Sequence, residues 1–265
     1  MRRDYIFWGF VLILLGGLMF MNAADIPLPG GINPMQLFWP SVLILLGVLF
    51  IAGVFLRGSA EAEQVTIDLQ GANQASLKLS HGAGRLFLGA GASPGQLLTG
   101  SFAGGVRQSV RQSGDQLDVH IEARPFGFPP FFGSPQGLEW NVRLSRDIPL
   151  ALRLESGASQ SELDLRELRV TDLKVSTGAS KTDLTLPASA GMTTVKVELG
   201  AASLDMVVPD GVAARIRAEQ GVSAIEINTT RFPYSNGIYE SADYSSAQNK
   251  VDILIQAGVG RVAVH

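Results

Sequence analysis

The first 57 residues contain two stretches of uncharged, mostly apolar residues. They span about 5–21 (YIFWGFVLILLGGLMFM) and 37–56 (LFWPSVLILLGVLFIAGVFL), with aromatic residues near their ends. Each stretch is close to the roughly 20 apolar residues that a helix needs to cross a bilayer, and aromatic residues suit the interface. We therefore predict a two-helix transmembrane hairpin over residues 1–57, with the lipid bilayer as a partner.

The charges that flank these stretches predict their orientation. Arg2 and Arg3 precede the first stretch and Arg57 follows the second, whereas the connecting loop holds Asp25 and no basic residue. Because basic residues favour the cytoplasmic side, we expect a multi-pass protein with its N- and C-termini in the cytoplasm. The alternative is that residues 1–24 are a cleaved signal peptide, which would also leave the rest of the chain cytoplasmic.

After a short polar linker at 58–64, apolar and polar positions begin to alternate. The alternation is clear in four segments, at 65–69 (VTIDL), 77–80 (LKLS), 116–122 (QLDVHIE) and 138–144 (LEWNVRL). A period of two is typical of β-strands that bury one face. The sequence therefore predicts that residues 65–265 form an all-β domain.

Residues 152–228 repeat one short unit four times. Each unit has a triplet with a central basic residue, then a glycine, then a triplet with a central acidic residue. The glycines are Gly157, Gly178, Gly200 and Gly221, at spacings of 21, 22 and 21 residues. Such a period predicts a single-stranded β-helix-like solenoid with ~21-residue rungs and a tight bend at each glycine. Residues 77–91 resemble a degenerate first copy of the unit.

Stacking of these rungs would place the central residues of the triplets in two outward-facing columns. The basic column would contain Arg153, Lys174, Lys196 and Arg217, with Lys78 as an outlying member. The acidic column would contain Glu162, Asp183, Asp205 and Glu226. Because stacked like charges repel, the columns are either a solvated surface that keeps the rungs soluble or a docking face for a partner or cations.

A proline-rich segment at 124–137 (RPFGFPPFFGSPQG) interrupts the strands, and we predict a loop that leaves the solenoid because proline removes ladder donors. It carries Phe126, Phe128, Phe131 and Phe132. Exposed phenylalanines are unfavourable unless something covers them. The loop therefore either caps an open end of the solenoid or contacts the membrane or a protein partner.

The repeat breaks after Asn228 and returns near the C-terminus. Residues 231–250 form an insertion rich in aromatic, glycine and serine residues, and residues 251–265 (VDILIQAGVGRVAVH) restore the pattern without its outward charges. Terminal repeats of solenoids are commonly atypical. We expect this segment to be a last rung with a different neighbour, or a cap.

The composition gives little sign of catalytic chemistry. The net charge is −3, which argues against nucleic acid binding, and the absence of cysteine excludes disulfides and thiolate metal sites. His81, which we expect at a turn, His120 and His265 are scattered, and the common catalytic motifs are missing. A carbohydrate-cleaving solenoid would need carboxylates clustered in a cleft, whereas these carboxylates follow the repeat. We expect no enzyme, no cofactor, no metal and no small-molecule substrate.

Two parts of the sequence resemble known bacterial proteins. The phrase LFWPSVLILLGVLF is similar to the transmembrane region of LiaI/LiaF-type proteins. The repeated G-A-S turns, followed by Y-E-S-A and V-D-I-L-I-Q-A-G-V-G, resemble the toast-rack β-domain of the same proteins and of adhesin-like proteins. The resemblance implies a membrane-anchored β-solenoid in the bacterial plasma membrane. It also implies a part in the cell-envelope stress response, through contact with a sensor kinase or another membrane protein, or through homo-oligomers.

These observations together predict a scaffold or regulatory protein that presents its solenoid for protein–protein interaction in the cytoplasm. The alternative is a structural or adhesive module displayed on the outer side of the membrane, with the topology inverted.

Overall fold

The structure, a computed structural model, describes residues 62–124 and 138–265, together with nine isolated helical positions between residues 13 and 44. Among these residues, no helix is both long and apolar enough to cross a membrane. The two predicted spans otherwise lie outside the described residues, so they stay predictions.

The two continuous ranges are all β, which confirms the predicted fold class of this domain. Their strands are, in chain order, β1 (Ala62–Asp68), β2 (Gln74–Ala90), β3 (Gln96–Ala103), β4 (Val106–Ser113), β5 (Gln116–Ala123), β6 (Glu139–Leu144), β7 (Leu150–Asp164), β8 (Val170–Thr185), β9 (Met192–Val207), β10 (Ala213–Ile227), β11 (Tyr234–Ser235), β12 (Ile238–Glu240) and β13 (Lys250–Val264). All of them belong to one hydrogen-bonded sheet. The first strand begins at Ala62, within the predicted linker, because it pairs with β3 from Ala62 onwards.

The central strands stack in parallel as the repeat predicts. Leu152 of β7 lies opposite Leu173 of β8, and Leu173 lies opposite Val195 of β9. On the other side of β7, Leu77 of β2 lies opposite Leu152. Rungs of about 21 residues are therefore confirmed, and β2 is the degenerate first copy.

Each rung bends at its glycine into a first arm and a second arm that bury apolar residues in the same core. In β7, Leu152 and Leu154 are buried before the bend and Leu163 is buried after it. Gly157 and Ala158 are both exposed, so the alternation of inward and outward side chains shifts by one residue at the bend. This shift lets two arms with different directions share one interior.

The bend requires glycine because neighbouring rungs approach closely there. A Cβ on Gly178 would lie 2.9 Å from the carbonyl oxygen of Gly157, and one on Gly200 would lie 2.7 Å from that of Gly178. These obstacles are backbone atoms, which cannot rotate away as a side chain can. The glycines therefore stack in a column, each leaving room for the carbonyl of the rung before it.

The predicted order of the rungs is wrong at one place. The last strand, β13, lies between β9 and β10, so that Ile253 is opposite both Val195 and Ile216. Burial explains this arrangement, since Val262 is fully buried at the centre whereas its neighbour Ile225 in β10 is only partly buried at the sheet edge. The C-terminal segment is thus an inserted rung with a different neighbour, and β12 covers part of the β10 edge.

The opposite end of the stack is a rung made of two strands. The first arm of β2 pairs with β5 and its second arm pairs with β6, both in parallel. The interruption between β5 and β6 coincides with the bend. In the sequence the predicted phenylalanine loop lies between these two strands, and its residues 125–137 lie outside the described residues. Antiparallel strands complete this end, with β4 beside β5, and β3 and β1 beyond β6.

Candidate functional site: the outer charge face

The first arms carry a column of basic residues on their outer surface. This column and the carboxylates beside it are called the outer charge face. Lys78, Arg153, Lys174 and Lys196 lie opposite one another on four consecutive rungs. The predicted next member, Arg217, is not adjacent to Lys196, because Leu254 of the inserted strand lies between them. The expected basic column is therefore confirmed over four rungs and corrected at its end.

The acidic column of the second arms is interrupted at the same strand. Glu162, Asp183 and Asp205 lie on consecutive rungs, whereas Ala263 separates Asp205 from Glu226. Because an alanine side chain carries no charge, the acidic column ends at Asp205.

Several of these acids pair with cations on the same surface. The Glu226 carboxylate lies 2.7 Å from the Arg261 guanidinium, and the Asp183 carboxylate lies 3.8 Å from the Lys181 ammonium. The acidic column is therefore partly neutralised within its own arms.

A second set of carboxylates, which was not predicted from the sequence, lies two residues after the basic ones. They are Glu155, Glu198 and Glu219, and they share the outer surface with the basic column because the side-chain period of a strand is two. The Lys78 Nζ lies 2.8 Å from Glu155 Oε1. The signal available in the sequence was a glutamate two residues after the basic residue and two residues before the glycine.

Glu198 is the best-satisfied member of this set. Its carboxylate lies 2.8 Å from Lys196 Nζ and 3.0 Å from Lys174 Nζ, and it accepts a hydrogen bond from Ser176 Oγ at 2.8 Å. These contacts, led by the one with Lys196, lower the pKa of Glu198 to about 2. One carboxylate thus offsets the repulsion between two stacked lysines, which explains how like charges can occupy neighbouring rungs.

Arg153 differs from its neighbours in the column. Its side chain is exposed, and it makes none of the ion pairs found among residues 62–124 and 138–265. Glu155, on the same strand as Arg153, binds Lys78 instead. This contact with Lys78 is the main cause that lowers the pKa of Glu155. Arg153 therefore presents an unpaired charge between paired ones.

A shallow recess of about 680 Å³ follows the glycine column beside the outer charge face. Glu198, Glu219, Gln256 and Thr177 line it together with the stacked glycines. These groups can donate and accept hydrogen bonds, but the recess holds no histidine or aromatic side chain. In the part of the chain that the structure describes, no three His, Asp or Glu side chains are arranged to hold a metal ion.

The three histidines lie apart from one another. His81 is inside strand β2 and buried, so the expectation of a turn is wrong, and its ring packs 4.6 Å from that of Trp140. His120 Nε2 lies 3.5 Å from Ser80 Oγ, and His265 Nε2 lies 3.5 Å from an Asp205 carboxylate oxygen. No two of them meet at a common site.

The four predicted contact residues of the phenylalanine loop lie outside the described residues. They are Phe126, Phe128, Phe131 and Phe132. The described residue before the loop, Arg124, is held by the Val106 carbonyl at 3.1 Å and by Glu63 at 3.2 Å. Whether the loop is a cap or a contact surface stays a prediction.

The fold defines a β-solenoid domain of bent, parallel rungs with an outer face of fixed charges. A family model described as the N-terminal domain of toast_rack, DUF2154, matches residues 56–207, which is more than half of the chain. The chain therefore belongs to this toast_rack family. No curated protein matches the sequence.

Two solved structures were compared with this fold. A candidate cell adhesion protein from Clostridium sporogenes is 23% identical, with a TM-score of 0.68 over 77% of this chain and 98% of that one. At this identity the likeness shows a shared fold and nothing about activity. A candidate adhesin from Bacteroides fragilis is 7% identical over 78% of this chain and 98% of that one. Its TM-score of 0.30 is too low to support an argument.

Proposed function

We propose that the chain is a membrane-anchored scaffold or regulatory protein whose β domain binds another protein through the outer charge face. The observation that carries this proposal is the fixed charge pattern, in which Lys78, Lys174 and Lys196 are held by glutamates and Arg153 is left unpaired. A regular pattern of positioned charges favours partners with the complementary pattern and disfavours others.

The anchor in this proposal is the apolar hairpin of residues 1–57, inserted in the bacterial plasma membrane with both termini in the cytoplasm. The resemblance to LiaI/LiaF-type proteins supports a partner in the cell-envelope stress response, such as a sensor kinase, a second membrane protein or another copy of the chain. In this proposal the outer charge face binds a protein, and it is not a site for a small-molecule substrate or for nucleic acid.

Reversal of one charge tests the docking face. In the full chain in membranes, R153E should remove the main crosslinked partner from a pull-down, because the unpaired cation becomes an anion beside Glu155. The control is R146E, because Arg146 is also exposed but lies in the turn between β6 and β7, outside the outer charge face. Equal recovery of the partner with R153E and the unmutated chain would reject this face, provided that thermal unfolding is unchanged.

The alternative function is an adhesive or structural module on the outer side of the membrane. The fold shared with the candidate cell adhesion protein of Clostridium sporogenes favours it. Protease added to intact cells separates the two topologies. Cleavage of the β domain under these conditions would support the alternative and reject the cytoplasmic orientation.

A further inference from the structure

A second recess lies at the far end of the second arms, and we call it the arginine recess. It has a volume of about 690 Å³ and lies between the turn after β7, the turn after β8 and the end of β2. Three arginines line it, namely Arg143 of β6 and Arg166 and Arg169 of the first turn. It is on the opposite arm from the basic column and shares no residue with it.

The two carboxylates in this recess are already occupied. Asp164 binds Arg166 through two contacts, at 2.9 and 2.6 Å, which lower the pKa of its carboxyl. Glu167 lies 3.0 Å from Arg146. Each carboxylate therefore has its own arginine, and neither compensates the remaining two guanidinium groups.

Those two groups, on Arg143 and Arg169, are the unusual feature of the recess. Arg169 Nη1 donates to the main-chain carbonyl of Asp147 at 3.2 Å, which is a neutral acceptor. The Arg143 side chain makes none of the hydrogen bonds or ion pairs found among the described residues. The like charges of these two exposed side chains favour an anion in the recess that both of them line.

Two glycines leave the space that the Arg143 side chain occupies. A Cβ on Gly89 would lie 3.2 Å from Arg143 Nη1, and one on Gly91 would lie 3.4 Å from Arg143 Cδ. The Arg143 side chain therefore lies along the end of β2 and lines the recess there, and its Nη1 is the atom nearest to the Cβ position of Gly89.

We infer that the arginine recess binds an oxyanion, specifically a phosphoryl group, through Arg143 and Arg169. Guanidinium groups bind phosphate in a bidentate and charge-assisted way, and two of them facing one recess suit one phosphoryl group. The recess is in the size range of sites for small ligands. The phosphoryl group can belong to a phospholipid headgroup or to a soluble compound.

Titration calorimetry of the full chain in detergent, with inorganic pyrophosphate and with dihexanoyl phosphatidic acid as separate probes, tests this inference. R143Q and R169Q together should weaken binding of the preferred probe at least about tenfold. The control is R107Q, because Arg107 lies on β4 and pairs with Glu122 at 3.6 Å. Binding of pyrophosphate alone assigns a soluble source, and stronger binding of the lipid assigns a headgroup.

A reciprocal variant keeps the test independent of folding defects. Ser189 lines the recess and is exposed, so S189D should supply an internal anion for the free arginines. We expect S189D to abolish binding of both probes while the melting temperature stays equal or rises. Absence of saturable binding to either probe would overturn the inference, as would an equal loss of affinity in R107Q.

Discussion

His81 should make the β domain lose stability as the pH falls towards 4. Its side chain is only 3% exposed, it packs against the ring of Trp140, and neither ring nitrogen has a hydrogen-bond partner among the residues that the structure describes. Burial lowers the pKa of His81 from 6.5 to about 4. Two carboxylates, those of Glu122 and Glu155, line the same recess on the outer surface as His81.

The sign of the effect follows from which state takes up the proton. Below pH 6.5 the unfolded chain protonates His81, whereas the folded chain keeps it neutral down to about pH 4. The free energy of unfolding therefore falls as the pH decreases from 6.5 to about 4, and protonation of His81 lowers it no further below that pH. Between pH 7 and 4.5 the difference in pKa corresponds to roughly 2 kcal/mol of unfolding free energy.

Equilibrium urea unfolding at a series of pH values measures this dependence. H81L removes the titrating group and leaves an apolar side chain against Trp140, so most of the loss between pH 7 and 4.5 should disappear. H120Q is the matched control, because His120 is only partly buried and lies on the outer surface. If H81L kept the full pH dependence of the unmutated chain, the pH dependence would not come from the buried His81 side chain.

Two further substitutions test the stacking of the rungs by thermal and urea unfolding. G178A should destabilise the β domain by about 1–3 kcal/mol, because the new Cβ would lie 2.9 Å from the Gly157 carbonyl oxygen. The matched variant G82A places its Cβ in open space, so it should lower the free energy of unfolding by less than half as much. L254K would add a cation next to Lys196, so it should lower stability at low salt more than at high salt, unlike L254Q. Equal effects within either pair would contradict the stacking.

The sequence predicted the rung well because inward and outward positions follow from a period of two. The triplet around Arg153 and the glycine after it determine which side chains face the core, and the structure agrees. The order of the rungs could not be predicted in this way, because alternation describes a strand and not its neighbour. The uncharged positions Leu254 and Ala263 were a sign that β13 lies inside the stack, but the same pattern also suits a terminal cap.

The charge pattern was predictable only in part. Aligning the glycines predicts each column of like charges. Whether the basic charges are compensated depends on which neighbouring positions carry carboxylates. Glu155 and Glu198 follow their basic residues by two, whereas the equivalent position in the β8 rung is Ser176. Because one Glu198 carboxylate serves lysines on two rungs, the compensation becomes visible only when the rungs are stacked.

The periodic and non-periodic parts of this fold suit different partners. A periodic face offers similar groups on successive rungs, which suits a partner that contacts several rungs more than a small molecule that contacts one. An extended protein surface can contact several rungs together. The arginine recess is built differently, because Arg143 comes from the divided end rung and Arg169 from one particular turn. Residues from two different elements line this recess, and the arrangement is not repeated on the other rungs. Such a site can bind one phosphoryl group selectively.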